Sequence, residues 1–123
     1  MRAELKGMHS PDVDLADPDA VCAADEALVQ LMIGPVGEAG EESFDLVVRT
    51  SRGSGEDTLG PGFRPADHAL VLDRIDTAEV GRWIEGFLRD LDRPTWDALA
   101  RAIGRIARWE FADYRPARGD AGA

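Results

Sequence analysis

The apolar residues of this chain repeat with two different periods, and each period is confined to one part of the chain. In Glu42–Thr50, the apolar residues Phe44, Leu46 and Val48 occupy every second position, which is the period of a β-strand. After Asp76, apolar residues recur every three or four positions, which is the period of a helix facing a core. Strands followed by helices predict an α+β fold: an antiparallel β-sheet of about four strands, packed on one face by two C-terminal α-helices.

Four segments are predicted as strands because they are rich in apolar residues and are bounded by turn-forming residues. They are residues 3–8, 27–33, 42–50 and 69–72. Residues 34–40 contain three glycines and a proline, and we expect a turn that joins the second and third strands as a hairpin. Aspartate, proline and glycine dominate residues 12–25 and 51–67, so both stretches are predicted as loops, the second of them mobile.

Two amphipathic helices are predicted in the C-terminal part of the chain. Asp76 and Glu79 have the spacing of a helix-starting capping box, and Pro94-Thr95 opens the second helix, whose pattern continues to Ala107. The aromatic residues on these helices are expected to fill the core between helices and sheet. They are Trp83, Phe87 and Trp96.

The length of 123 residues fits one domain, predicted over residues 1–116 with a flexible tail at 117–123. The chain has no apolar run long enough to cross a bilayer and no leader-like N-terminus, so a cytoplasmic location is expected. With one cysteine and two histidines, neither an internal disulfide nor a zinc site is predicted.

Negative charge is concentrated in the first half of the chain. The net charge is −10; residues 1–60 hold 13 acidic and 4 basic residues, and residues 61–123 hold 11 and 10. Such a field repels nucleic acid and anionic membranes and attracts basic partners. We therefore predict that acidic loop residues and an aromatic–acidic segment near the C-terminus contact a protein partner. These residues are Asp12, Asp14, Asp17, Asp19, Glu38, Glu41, Glu42, Glu110, Asp113 and Tyr114.

Catalysis is not predicted, because the sequence does not bring a nucleophile and a base together. His9 and Ser10 are adjacent, and adjacent residues on a strand point to opposite faces. The alternative is a small hydrolase in which His9 works with Asp12 or Asp14. No cofactor is predicted either, because the glutamates of the glycine-bearing turn repel phosphate and residues 12–23 lack the glycine and glutamate of a calcium loop.

Three arginines, Arg101, Arg105 and Arg108, form a basic ridge if the second helix continues through them. We interpret them as helix-end residues, because basic side chains favour the last turns of a helix. Asp97, four residues before Arg101, is expected to pair with it.

Three blocks of sequence, separated along the chain, resemble those of a known family. They are Ala3-Glu4-Leu5-Lys6 with His9-Ser10-Pro11-Asp12, Leu31-Met32-Ile33-Gly34-Pro35 with Gly40-Glu41-Glu42-Ser43-Phe44-Asp45, and Trp109-Glu110-Phe111-Ala112-Asp113-Tyr114. In this order they are similar to the immunity protein 8 family of bacterial polymorphic toxin systems, over residues 2 to about 116. The chain departs from that pattern in residues 51–66 and in the tail.

The resemblance implies a protein that binds and blocks a cognate toxin and is not an enzyme. The acidic composition suggests that the toxin domain is basic, as a nuclease is. The alternative is a structural or adaptor subunit whose protein partner is not a toxin. The oligomeric state is left open by the sequence.

Overall fold

The computed structural model describes residues 1–51 and 59–112. Within them the strands are β1 (Ala3–His9), β2 (Glu26–Pro35), β3 (Glu42–Thr50), β4 (Gly62–Arg64), β5 (Ala69–Leu72) and β6 (Arg108–Trp109). The helices are α1 (Pro18–Ala23), α2 (Thr77–Arg89) and α3 (Trp96–Ile103), and a short 3-10 turn occupies Pro65–Asp67. The predicted α+β class is confirmed, whereas the numbers of strands and helices differ from the prediction.

The six strands form one mixed sheet, which corrects the prediction of an antiparallel one. The order is β1-β2-β3-β5-β4, and β6 pairs with β3 on the same edge as β5. β3 and β5 are parallel, with Val47 opposite Ala69 and Thr50 opposite Leu72. The connection 51–68 allows this direction, because it exceeds the dozen or so residues that a parallel crossover needs. β4, inside this predicted loop, turns back onto β5.

In β2 and β3 one face is buried and the other is half-exposed, whereas all four residues of β5 are buried. β2 and β3 form the predicted hairpin, and their alternate residues Leu31, Ile33, Phe44 and Leu46 are completely buried. The buried stripes of both C-terminal helices belong to the same core cluster, which also contains Ala107. The strand-period and helix-period patterns therefore meet in one core, as the sequence indicates.

The aromatic residues of the helices lie at the border of this core rather than inside it. Trp83, Phe87 and Trp96 pack against the core, as predicted, but they are half-buried and do not fill its interior. Phe63 of β4 packs edge-on against Trp83 and Phe87, with ring centroids 5.6 and 5.9 Å apart. These two helix residues therefore cover the edge strand β4, which the sequence does not reveal.

A β-bulge in β1 keeps the apolar side chains of this edge strand on the core side. The register shifts between Leu5 and Gly7, so that Leu5 lies opposite Ile33 and Met8 lies opposite Leu31. Opposed residues share a face, and Ile33 and Leu31 face the core. Without the extra residue, Met8 would point to the half-exposed face.

Gly34 permits a close approach of the chain at the hairpin turn. A Cβ atom on Gly34 would lie 2.0 Å from the backbone oxygen of Gly40. Gly37 and Gly40 have positive φ angles of 79° and 104°, which side chains rarely adopt. The predicted turn therefore depends on its glycines for shape.

Two helix boundaries differ from the prediction. The predicted loop 12–25 contains α1, which Asp17 caps and Pro18 begins, a combination that favours a helix start. α3 ends at Ile103 with Gly104 at its C-cap, rather than continuing to Ala107. The chain then turns back to the sheet, because β6 pairs with β3.

The N-terminal residue is held at the end of α2. The Met1 amino group donates to Oδ1 of Asp92 at 2.9 Å and to the Arg93 carbonyl at 2.8 Å. This hydrogen bond, together with the positive charge of the amino group, lowers the pKa of the Asp92 carboxyl below its ordinary value.

Candidate partner-binding surfaces

Hydrogen bonds draw loops together at the end of the sheet where β1 ends and β2 begins. Oδ2 of Asp12, just after β1, accepts from the backbone N–H of Leu28 at 2.8 Å. The backbone N–H of Thr50, at the end of β3, donates to the Asp25 carbonyl at 2.9 Å. Both loops around α1 are therefore tied to the same end of the sheet.

The beginning of α2 joins this end of the sheet. The Thr77 hydroxyl donates to the Leu15 carbonyl at 3.0 Å, and a pocket of about 500 Å³ between α1 and α2 is lined by Asp19 and Asp76, among others. We call this surface the acidic end. Its exposed acidic residues are Asp12, Asp14, Asp17, Asp19, Asp25, Glu26, Asp73 and Asp76.

Several carboxylates of the acidic end are held in place by backbone N–H groups. Asp14 accepts from the N–H two residues further on at 2.9 Å. Asp17 caps α1, accepting from the second and third residues after it at 3.1 and 3.2 Å. Asp76 caps α2 as predicted, accepting from the third residue after it at 3.1 Å. These hydrogen bonds use one oxygen of each carboxylate and hold the acidic groups in fixed positions.

The predicted glutamates of the hairpin turn lie at the other end of the sheet. Leu28 and Pro35 are separated by roughly 23 Å along β2, at a rise of about 3.3 Å per residue. Glu38 and Glu41 are exposed there, and the Lys6 side chain donates to the Glu38 carbonyl. Among the described residues, the acidic side chains predicted as partner contacts therefore lie at two separate places on the molecule.

Glu42 connects three elements of the fold. Its Oε1 atom accepts from Nε1 of Trp96 and from Nε1 of Trp109, both at 2.8 Å. The Glu42 side chain is half-buried at the beginning of β3, while the tryptophans come from α3 and β6. This carboxylate is thus a structural link, and nothing in the local sequence signals that role.

The C-terminal aromatic–acidic segment runs beside the beginning of β3. Oε1 of Glu110 accepts from the Ser43 N–H at 2.6 Å, and the Glu110 N–H donates to the Ser43 carbonyl at 3.0 Å. Phe111 is exposed and meets Trp109 edge-on, with ring centroids 5.7 Å apart. Asp113 and Tyr114 lie outside the described residues.

The catalytic alternative involves His9, Ser10 and Asp12, which the fold does not link by hydrogen bonds between their side chains. Oγ of Ser10 is buried and accepts from the N–H groups of Asp12 and Val13 at 3.1 and 3.3 Å. His9 is exposed, and within residues 1–51 and 59–112 it forms no hydrogen bond with Ser10 or Asp12. The geometry does not form a proton-transfer chain among these three side chains.

An aromatic groove on the outside of α2 has no counterpart in the sequence predictions. It encloses about 500 Å³ and is lined by Phe63, Trp83 and Phe87, with Arg82 and Glu79 beside them. Gly86 forms part of its floor, and a Cβ atom there would meet nothing within 4 Å.

The predicted basic ridge is not a helix face. Arg101 lies on α3 and forms the expected pair with Asp97 at 2.8 Å. Arg105 follows the helix, and Arg108 begins β6. The chain turn after Gly104 nevertheless brings all three arginines to one pocket of about 420 Å³.

In the part of the chain that the structure describes, no three His, Cys, Asp or Glu side chains are grouped so as to hold a metal ion. None of the helices there combines the length and the apolar character that crossing a bilayer requires.

The chain is thus an acidic α+β protein whose described residues form several charged surfaces. The family described as Immunity protein 8 matches residues 3–114, and the chain belongs to this family. It is thus an immunity protein of the kind directed against polymorphic toxins. No curated protein and no solved structure matches the chain.

Proposed function

We propose that the protein neutralises its cognate toxin by binding a basic toxin domain, such as a nuclease, through the acidic end. It acts in the cytoplasm by occupying the toxin, and it does not turn over a substrate. Family membership supports the toxin as the partner. The observation that carries the choice of surface is the gathering of eight exposed carboxylates at one end of the sheet.

The charge balance favours the acidic end over the hairpin turn. Among the described residues of the acidic end, the eight carboxylates outnumber the basic side chains, which include Arg74 and also Arg49, opposite Glu26 in the strand register and paired with Asp67. At the hairpin turn, Glu42 and Glu110 are engaged with indole and backbone donors. A basic partner is therefore attracted more strongly to the acidic end.

The hydrogen bonds of the acidic end hold its carboxylates in fixed positions before a partner binds. Asp12, Asp14, Asp17 and Asp76 are each fixed by at least one backbone N–H. Binding through fixed side chains loses less rotamer freedom than binding through mobile ones, where each ordered side chain costs about 0.5–1.5 kcal/mol. The same bonds place the charges before the partner arrives, which favours rapid association.

The test replaces charge without removing the hydrogen-bond acceptors. The variant D12N/D14N/D17N/D19N keeps a side-chain oxygen at every position, and asparagine caps helices as well as aspartate does. The matched control E4Q/E38Q/E41Q/E85Q removes the same charge from exposed positions outside the acidic end. Both are co-expressed with the toxin domain encoded by the adjacent gene, and association rates are measured at low and high salt.

We expect the wild type and the control to restore growth of cells that express the toxin domain. At low salt, the aspartate variant should associate with the toxin at least roughly tenfold more slowly than the wild type does. High salt should reduce this difference, because it screens exposed charges. Equal slowing of both variants would show that net charge matters and the acidic end does not. Failure of the wild type to bind or neutralise the toxin would refute the proposal as a whole.

A further inference from the structure

Two strands, β6 and β5, pair with the same edge of β3 and leave a gap between them. We call this gap the notch. β6 pairs with Phe44 and Asp45 of β3, whereas β5 pairs with β3 from Val47 onwards. The arginine pocket opens beside this notch, between the start of β5 and the turn after α3. Its lining is His68, Arg101, Gly104, Arg105, Arg108, Trp109 and Ala112.

The pocket is basic on a protein whose net charge is −10. Arg101 is paired with Asp97, and Asp45 lies opposite Arg108 in the strand register. Arg105 is exposed, and no acidic side chain of the described residues forms an ion pair with it. At least one guanidinium of this pocket is thus available to an anionic group.

His68 holds the floor of the pocket in a conformation that is unusual for a side-chain-bearing residue. Its φ and ψ are both 49°, in the left-handed region. His68 Nε2 lies 3.0 Å from the Gly104 carbonyl, and since a carbonyl only accepts, Nε2 is the donor. The His68 carbonyl in turn accepts from the Val47 N–H at 3.0 Å. These bonds fix the turn that carries Arg101 and Arg105 to the sheet edge.

We propose that this pocket receives a carboxylate side chain of the toxin, and this inference rests on the proposed function. The guanidinium group presents paired N–H donors whose spacing fits a carboxylate. A nucleic-acid phosphate offers the same oxygen geometry, but a chain with ten excess negative charges repels a polyanion. A folded toxin domain can carry a carboxylate beside an otherwise basic surface.

The pocket and the acidic end are close enough for one partner to cover both. Leu46, beside the notch, and Thr50, at the acidic end, are roughly 13 Å apart along β3. An interface of standard size covers about 800 Å² on each partner, which corresponds to a patch roughly 28 Å across and exceeds this separation. Two oppositely charged contacts at this distance would fix the orientation of the bound toxin.

The decisive variant is R105E, with R89E as the control at an exposed arginine of α2. Both substitutions make the protein more acidic by the same amount, so general attraction to a basic toxin predicts tighter binding for both. A carboxylate in the pocket predicts the opposite for R105E alone: at least tenfold weaker binding, mainly through faster dissociation. R89E should stay within about threefold of the wild type.

A second measurement does not need the toxin. Nuclear magnetic resonance signals of the arginine Nε–H groups are followed while acetate replaces chloride at constant ionic strength, with phosphate and a single-stranded oligonucleotide in parallel. We expect saturable shifts of the Arg105 signal with acetate, and the spectrum of R105E, which lacks this signal, identifies it. A signal that does not saturate, or one that saturates only with the oligonucleotide, would overturn the inference.

Failure of the pocket proposal can be distinguished from failure of the proposed function. If the toxin binds the wild type and the acidic-end variant binds poorly, but R105E binds as tightly as the wild type, the pocket is not a contact and the proposed function stands. If the wild type does not bind the toxin, the proposed function fails, and the acetate titration alone decides whether the pocket accepts a carboxylate.

Discussion

Two hydrogen bonds join Glu42 to tryptophans of α3 and β6. They allow a quantitative test of how these two elements are held on the sheet. One carboxylate oxygen accepts from Trp96 of α3 and from Trp109 of β6, both at 2.8 Å. Replacing Glu42 by alanine leaves both indole N–H groups without this acceptor. Hydrogen bonds to charged groups contribute about 1.5–3 kcal/mol each, and water can reach half-buried indoles in part. We therefore expect E42A to lower the free energy of unfolding by about 2–4 kcal/mol.

The conservative variant separates the hydrogen bonds from the charge. In E42Q the amide oxygen can still accept from both indoles, so we expect a loss of only about 1 kcal/mol. E41A is the control, because Glu41 is the exposed neighbour. Unfolding is followed in urea by tryptophan fluorescence, since two of the three tryptophans in the chain contact Glu42. The E42A loss corresponds to a Tm decrease of roughly 8–15 °C.

The reasoning is refuted if E42A unfolds within about 0.5 kcal/mol of the wild type, which is the size expected for a surface substitution. It is also refuted if E42Q and E42A lose equal stability, because the acceptor oxygen would then be irrelevant. Destabilisation of E41A to the same extent would show that the hairpin turn, and not the indole bonds, is sensitive to substitution.

Three further predictions concern single positions. G34A should destabilise the fold by about 3 kcal/mol or more in urea unfolding, because its Cβ would lie 2.0 Å from the Gly40 oxygen; a loss below 1 kcal/mol would contradict this. G86A should instead raise stability by up to about 1 kcal/mol, since its Cβ meets nothing within 4 Å and alanine favours helices; a loss would show hidden strain. The pKa of Asp92, followed by carboxyl chemical shifts, should lie below that of an aspartate in an unfolded peptide. Its contribution to stability should be complete above the ordinary pKa and disappear as the pH falls through the lowered one, and D92N should abolish this dependence.

Patterns repeated over several residues predicted the longer elements well. The alternation in Glu42–Thr50 identified β3, and the predicted strand 69–72 matches β5. The cap at Asp76 identified the beginning of α2. In each case the signal is local, because side-chain period and backbone capping act within a few residues along the chain.

The direction of strand pairing and the shortest strands could not be predicted. β4 has three residues and β6 has two, too few to show a period. Whether β5 runs parallel or antiparallel to β3 is decided by the path of the connection and by how its apolar residues meet the core. That outcome depends on tertiary packing, about which the local pattern carries little information.

The acidic end illustrates why a candidate surface is harder to predict than a strand. The sequence grouped Asp12 with its neighbours in the chain, and it grouped Glu38 with Glu41. The fold separates these two groups and adds Asp73 and Asp76, which lie far from Asp12 in sequence. Distance along the chain was thus a poor guide to which charges act together on a partner.

The aspartates of the acidic end combine two roles that alanine substitution cannot separate. Asp17 caps α1, so D17A removes both a charge and a cap that contributes about 1 kcal/mol. D17N removes the charge alone. Because the cap orders the loop that also positions Asp12 and Asp14, a loss of toxin binding in D17A could arise from either role. Equal loss in D17N assigns the effect to charge, whereas normal binding by D17N and weak binding by D17A would assign it to the shape of the loop.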